Sequence, residues 1–381
     1  MLKVLYVSSA LYSNNGSVVH AKEFLSALKV FFKSRVEVEI LSEMDFKASK
    51  FIKLLSLFPF FARLIKGRFD NKIINSKYDL IIIRNFHDIT LPSRLKIKDK
   101  NIIIFIELND LVVFDRIKKF PILSKYFSMK EVQSIDCADR IFPISEQLKQ
   151  KLLDLGVEQQ KMVVNHNGVS VDKFDKNRFN KKVLLREYQI PPGSLVLCYT
   201  GGIAKNKKLD LIIESIDRVS KSIDKKLYFL LASDGKINDE IDFLLEENLN
   251  GKVSYKRHFW VSHDRVPELL AVSDIAIFPF TSHYMSPLKL FEYLAMEIPT
   301  IGPKTAAVEE VFEDEKHLLL VSSQIEFENA LIKISKNYDH FLNVVALQGS
   351  KHVKENYSWK DNAEKVISEY DRVKDCDINI E

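Results

Sequence analysis

Short apolar or β-branched runs recur along the chain, each followed by a longer stretch with helical spacing. This alternation restricts the fold more than any other feature, because it is the pattern of a parallel sheet whose crossovers are helices. In the first half the runs are KVLYVS (3–8), VEVEI (36–40), DLIII (79–83), NIIIFI (101–106), RIFPI (140–144) and KMVVN (161–165). The second half repeats the scheme with SLVLCYT (194–200), KLYFLLA (226–232), KVSYK (252–256), DIAIFPF (274–280), IPTIGP (298–303) and HLLLV (317–321). A chain of 381 residues exceeds the size at which a single core stops growing. The expectation is an α/β protein of two doubly wound, Rossmann-like domains. Between the halves lies the polar stretch 167–193, closed by Pro191-Pro192-Gly193, and the boundary is placed near residue 178. The domains are then 1–178 and 179–357, with 358–381 as a terminal helix and an acidic tail.

Composition narrows the function. Basic and acidic residues nearly cancel, leaving a net charge of +4, so a nucleic-acid partner is not expected. Cys137, Cys198 and Cys376 are odd in number and widely spaced, which suggests neither a disulfide framework nor a zinc site. The amino terminus reads as a first strand rather than a signal peptide, and no run reaches the ~20 apolar residues a spanning helix needs. A cytoplasmic protein, free or at the membrane face, is expected.

Ligands of open parallel sheets bind beyond the carboxyl ends of the strands, where loops meet helix amino termini. After the first strand, Gly16 precedes a helix and either shapes the turn or lets the backbone approach a phosphate or sugar. His20 lies one turn into that helix. After the first strand of the second half comes TGGIAKNKKLDLII, in which Gly201 and Gly202 bare the backbone and Lys205, Lys207 and Lys208 crowd a helix start. The dipole there is already positive, so the cluster implies an anion unless the lysines simply face solvent. SPLKLFEYLAMEIP (286–299) opens on a further strand end, with Ser286 able to cap and Pro287 suited to the first helical position. Glu292, one turn in, either accepts hydrogen bonds from a vicinal diol such as a ribose or forms an i,i+3 surface pair with Lys289.

The SPLKLFEYLAMEIPTI stretch, ADRIFPISEQLKQKLLDLG, VVNHNGVSVDKF, CYTGGIAKNKKLDLIIESI and YSWKDNAEKVISEY together resemble segments of the retaining, nucleotide-sugar-dependent glycosyltransferases of the GT-B fold, family 4 type. The resemblance implies two Rossmann-like domains facing a central cleft, with the terminal helix crossing back to the first. It implies that Glu292 holds the ribose hydroxyls, that Lys207 and Lys205 meet the diphosphate, and that the backbone of Ser286, Pro287 and Leu288 holds the same group. Gly201 and Gly202 line the phosphate loop, and Gly16 lets the opposing domain close. No metal or other cofactor is implied. The position of the family's first glutamate falls on Tyr284, Gly202 stands where arginine is common, and Asn109, beside Glu107 and Asp110, stands where a histidine often ends the fourth strand. With Lys207 and Glu292, the residues His87, Asn109 and Asp110 are the candidates for catalysis. The implied function is transfer of a sugar, with retention, to a glycan or lipid-linked acceptor in cell-surface polysaccharide, lipopolysaccharide or glycolipid synthesis. The rivals are a degenerate partner subunit or scaffold and a sugar epimerase on the same fold.

Residues 46–68, FKASKFIKLLSLFPFFARLIKGR, combine dense Phe, Leu and Ile with six basic and no acidic residues. Such a stretch suits a helix lying in an anionic membrane surface, broken at Pro59; it also suits an ordinary helix packed on the sheet.

Overall fold

A computed structural model describes residues 1–8, 16–41, 70–84, 89–111, 121–203, 205–233, 239–249, 253–259, 261–281 and 286–378. His87, Tyr284 and the whole of 46–68 lie outside the described residues, as does the side chain of Lys205.

The chain divides into two compact domains, Met1–His166 with Trp359–Glu381, and Asn167–Ser358. In the first, β1 (Leu2–Ser8), β2 (Val36–Leu41), β3 (Leu80–Arg84), β4 (Ile104–Leu108) and β5 (Arg140–Pro143) form a parallel sheet in the order β2-β1-β3-β4-β5. Residues 161–165, expected as a sixth strand, make only one bridge, Met162 to Ile141. Two backbone bonds, Val163 N–H to the Ile141 carbonyl and Asn165 N–H to the Pro143 carbonyl, both 2.9 Å, hold this segment along β5. Beyond them the Asn165 amide turns to Asn362 at 3.0 Å, and the ladder stops.

The second domain holds β6 (Leu195–Gly201), β7 (Leu227–Ser233), β8 (Ser254–Phe259), β9 (Ile275–Ile277), β10 (Thr300–Pro303) and β11 (Leu319–Val321), parallel in the order β11-β10-β9-β6-β7-β8. All six coincide with the runs read from the sequence. Their burial explains why those runs are continuous rather than alternating: helices cover both faces, so inward and outward positions alike are apolar. In β6, for instance, every residue from Leu195 to Thr200 is buried. The chain goes out from β6 through β7 to β8 and returns to β9 on the other side, so the order reverses between β6 and β9. That reversal is where this topology leaves a crevice at the strand ends.

The division falls at residue 167 rather than 178. Val169 and Phe174, each 1% exposed, are packed in the second core, and the Val169 N–H bonds the Tyr357 carbonyl at 2.9 Å. Two apolar anchors thus decide the allegiance of a stretch whose composition reads as linker. The terminal helix Trp359–Ile378 packs in the first domain, where Trp359 sets its ring edge against His20 at 4.6 Å and Glu369 accepts from Arg140 Nε at 2.8 Å. Among the described residues no helix is long and apolar enough to cross a membrane.

Candidate active site

In the second domain, the end of β6 and the helix Leu288–Ala295 are tied together by one side chain. The Tyr293 hydroxyl accepts from the Thr200 N–H at 2.9 Å and lies 2.9 Å from the Thr200 hydroxyl, so the helix is held against the end of β6. Tyr199, one residue earlier, stacks on Phe278 with centroids 5.7 Å apart and donates to the Gly202 carbonyl at 3.0 Å. Gly201 has φ 157°, a conformation that L side chains rarely adopt, and a Cβ there would also stand 2.7 Å from Lys289 Cε, which would have to move aside. The glycine lets Lys289 cross the strand end, where its ammonium lies 5.8 Å from the Phe278 centroid.

Lys207 and Lys208, in the loop after β6, do not behave alike. A 3₁₀ turn, Lys205–Lys207, leads to Lys208 in the left-handed region at φ 46°, which caps the helix Leu209–Ser220 without a side-chain bond. Lys208 is exposed, with its ammonium 5.4 Å from the Phe280 ring centroid. Lys207 folds back over β9: its Nζ donates to Thr281 Oγ1 at 2.8 Å and lies 4.7 Å from the Phe278 centroid. Burial, and then the charge of Lys289, pull its pKa down from 10.5 to about 8. The fold therefore holds two ammonium groups together around one aromatic ring at the β6–β9 reversal.

The helix carrying Glu292 begins one residue later than expected. Pro287 is its N-cap, with φ −72° and ψ 115°, and it supplies only a carbonyl, which accepts from the Leu290 N–H at 3.1 Å. Ser286 lies outside the helix, buried, with its own carbonyl taken by Asn167 Nδ2 at 2.8 Å. The Leu288 N–H, at the first helical position, lacks an intrahelical acceptor by the geometry of any α-helix.

Glu292 is 4% exposed and forms no surface pair with Lys289; its Oε1 lies 2.6 Å from His263 Nε2. His263 Nδ1 in turn lies 2.9 Å from Lys173 Nζ, which also donates to Asp264 at 2.8 Å. An ammonium has no lone pair to accept with, so His263 Nδ1 is the acceptor and its Nε2–H donates to Glu292. The relay fixes the imidazole tautomer and points the carboxylate. The His263 ring is seated against Phe174, with centroids 5.6 Å apart.

In the first domain, Gly16 begins the helix Gly16–Phe31 after β1, and Asn109 and Asp110 are half-buried just beyond β4. Asp110 Oδ1 accepts its neighbour's N–H, from Leu111, at 2.8 Å. Glu107, 3% exposed, belongs to a buried cluster instead of a loop. It accepts from the Tyr6 hydroxyl at 2.9 Å, and His20 Nε2 and Arg84 Nη1 each stand 3.6 Å from it. Burial pushes the Glu107 carboxyl up, but the nearness of His20, the Arg84 charge and the Tyr6 hydroxyl outweigh it and leave its pKa below the usual range. His166 is structural, with Nδ1 3.1 Å from the Ile144 carbonyl.

Sequence reasoning passed over His263, Lys173, Thr281, Phe278 and Arg84. The signal for Arg84 was present, since it closes an otherwise apolar strand, DLIIIR. Nothing in the linear spacing of His263 and Glu292 marks them as partners.

Residues 194–337 match the family model described as Glycosyl transferases group 1. A probable sucrose-phosphate synthase of Thermosipho melanesiensis is 24% identical over 208 residues, 54% of this chain and 45% of that protein. The chain spans about half the length of the curated relatives it matches, 45% and 58%. The Anabaena protein HepE, solved in complex with UDP, has a similar structure with a TM-score of 0.74 at 13% identity, covering 98% of this chain and 100% of that one. Sucrose-phosphate synthase from Thermosynechococcus elongatus gives 0.75 at 14% identity, covering 99% and 100%. At such identities the likeness is one of fold. Residues 194–337, all within the second domain, are thus similar to group 1 glycosyltransferases, and the two parallel-sheet α/β domains share the GT-B fold of the solved neighbours.

Proposed function

We propose that this protein is a retaining glycosyltransferase that moves a sugar from a nucleoside diphosphate donor to an acceptor hydroxyl. The observation that carries the reading is the pairing of Lys207 and Lys289 around Phe278 at the β6–β9 reversal, beside the start of the helix Leu288–Ala295. Two cations and a helix start converging at strand ends fit a diphosphate. Glu292, one turn along and aimed by His263, fits the ribose diol. HepE was solved with UDP and with UDP-glucose, which makes uridine donors the first to test.

In this reading the bond from the anomeric carbon to the diphosphate oxygen breaks and a bond to the acceptor oxygen forms. The acceptor proton passes to the departing diphosphate or to a base at Asp110 or His87. Charge grows on the diphosphate in the transition state, where Lys207 and the helix N–H groups lower the barrier. The reading includes no metal. UDP should stabilise the wild-type protein against heat, and UDP-sugars should be turned over with chelator present. A folded protein that ignores UDP and other nucleoside diphosphates sinks the reading; binding without turnover favours the degenerate-subunit rival.

The same reading puts the protein at the cytoplasmic face of a membrane, docked through residues 46–68 with a lipid-linked acceptor. In flotation, anionic liposomes at low salt should carry the wild-type protein, and a variant with Lys50, Lys53, Arg63 and Lys66 changed to glutamate should stay behind. Equal behaviour of the two removes the membrane from the reading.

A further inference from the structure

Arg84 is 1% exposed, and its Nε and Nη2 have no hydrogen-bond partner among the described residues. Such groups are rare in folded proteins, because a buried donor without an acceptor has lost its water for nothing. The two orphaned nitrogens are not a random pair. They form the side edge of the guanidinium, whose parallel N–H bonds match the two oxygens of a carboxylate or phosphate. The same domain displays that use: Arg94 Nε and Nη2 grip the two oxygens of buried Asp70, each at 3.0 Å.

Position supports function at Arg84. It is the last residue of β3, in register with Ser8 at the end of β1 and with Glu107 near the end of β4. These three form a row along the carboxyl edge of the first sheet, where folds of this topology present ligands. Glu107 does not satisfy the open edge, since it faces Nη1 and is itself bonded by Tyr6. Its charge holds the guanidinium in place while leaving Nε and Nη2 to another acceptor.

We propose that the Nε–Nη2 edge of Arg84 binds an oxyanion, a carboxylate or phosphate carried by the acceptor, at the carboxyl end of the first sheet. The word acceptor rests on the glycosyltransferase reading; the oxyanion site does not. Tyr6 and Glu107 then act as positioning residues for Arg84.

The test is a titration of the full chain with inorganic phosphate and, separately, with acetate, against chloride at equal ionic strength. Saturating UDP is present to occupy the second domain, and binding is read as a rise in melting temperature. Wild-type protein should be stabilised, and Arg84→Lys, which keeps the charge but not the fork, should weaken that response about tenfold or more. Arg84→Met alone leaves Glu107 a buried unpaired charge and is open to misfolding. The double variant Arg84→Met/Glu107→Gln removes both charges; it should fold and lose the response. Stronger stabilisation by phosphate identifies a phosphate-bearing acceptor, and stronger stabilisation by acetate a carboxylate-bearing one. The proposal is overturned if the anion response is absent or survives in the double variant, or if Arg84→Lys weakens UDP binding to the same degree. Failure of UDP to bind wild-type protein overturns the donor reading alone, because the Arg84-dependent response is still measured.

Discussion

Lys207→Met is expected to make the protein more stable and nearly inactive. The fold holds the Lys207 ammonium in a half-buried place beside Lys289, and this disfavours the charged form enough to bring the pKa from 10.5 to about 8. At neutral pH the folded protein therefore carries a penalty that the unfolded chain does not. Methionine fills the same space over Phe278 without the charge. The bond to Thr281 and the contact with the ring offset part of the gain, leaving a net of about 1–2 kcal/mol. The sign with pH follows from the direction of the shift. Because the folded pKa lies below the unfolded one, wild-type stability rises as pH climbs from about 8 to 10.5, and the advantage of the variant shrinks over that window. Turnover should move the other way. A cation aimed at the leaving diphosphate matters most when charge has developed there, so kcat should fall on the order of 100- to 1,000-fold, with a smaller change in KM. For the wild type, donor binding should weaken above about pH 8, as the ammonium is lost. A change in KM alone would reduce Lys207 to a binding residue. A variant less stable than wild type in the absence of ligand would make the ammonium structural.

Glu292→Gln should weaken nucleotide binding about tenfold or more while leaving the fold intact. The substitution keeps the size of the side chain and an oxygen to accept from His263 Nε2, which lies 2.6 Å away in the wild type. What disappears is the charge that strengthens hydrogen bonds to a diol, a difference of about 1.5–3 kcal/mol. Alanine is the poorer probe, since it strands the His263 donor and mixes instability with lost affinity. Comparison of UDP with 2′-deoxy-UDP isolates the contact. Wild-type protein should prefer UDP, and the preference should largely vanish in Glu292→Gln, as it does when the two changes remove one shared bond. Undiminished discrimination in the folded variant would take Glu292 away from the ribose.

The order of elements in the second domain was legible because its cause is local. A strand covered on both faces must be apolar at successive positions, so LVLCYT and KLYFLLA announce themselves without reference to anything distant. The helix with Glu292 was legible for a similar reason: a single carboxylate stands in an apolar stripe behind a Ser-Pro start. Local signals misled where a few residues outweigh composition. Val169 and Phe174 carry a polar stretch into the second core, and residues 161–165 have the pattern of a strand but a ladder of only two bonds.

Partnership was decided by the tertiary structure alone. Lys207 meets Thr281 across 74 residues, and His263 meets Glu292 across 29, because the chain returns from β8 to lay β9 beside β6. Sheet order brings these side chains together, and no periodicity within one segment encodes it. Arg84 shows the same division. Its sequence reveals a charge at the end of an apolar strand, whereas only the alignment of β1, β3 and β4 reveals that Glu107 faces one nitrogen and that the bidentate edge has no partner among the described residues. Burial is written residue by residue along the chain, but the pairing of buried polar groups depends on which strands become neighbours.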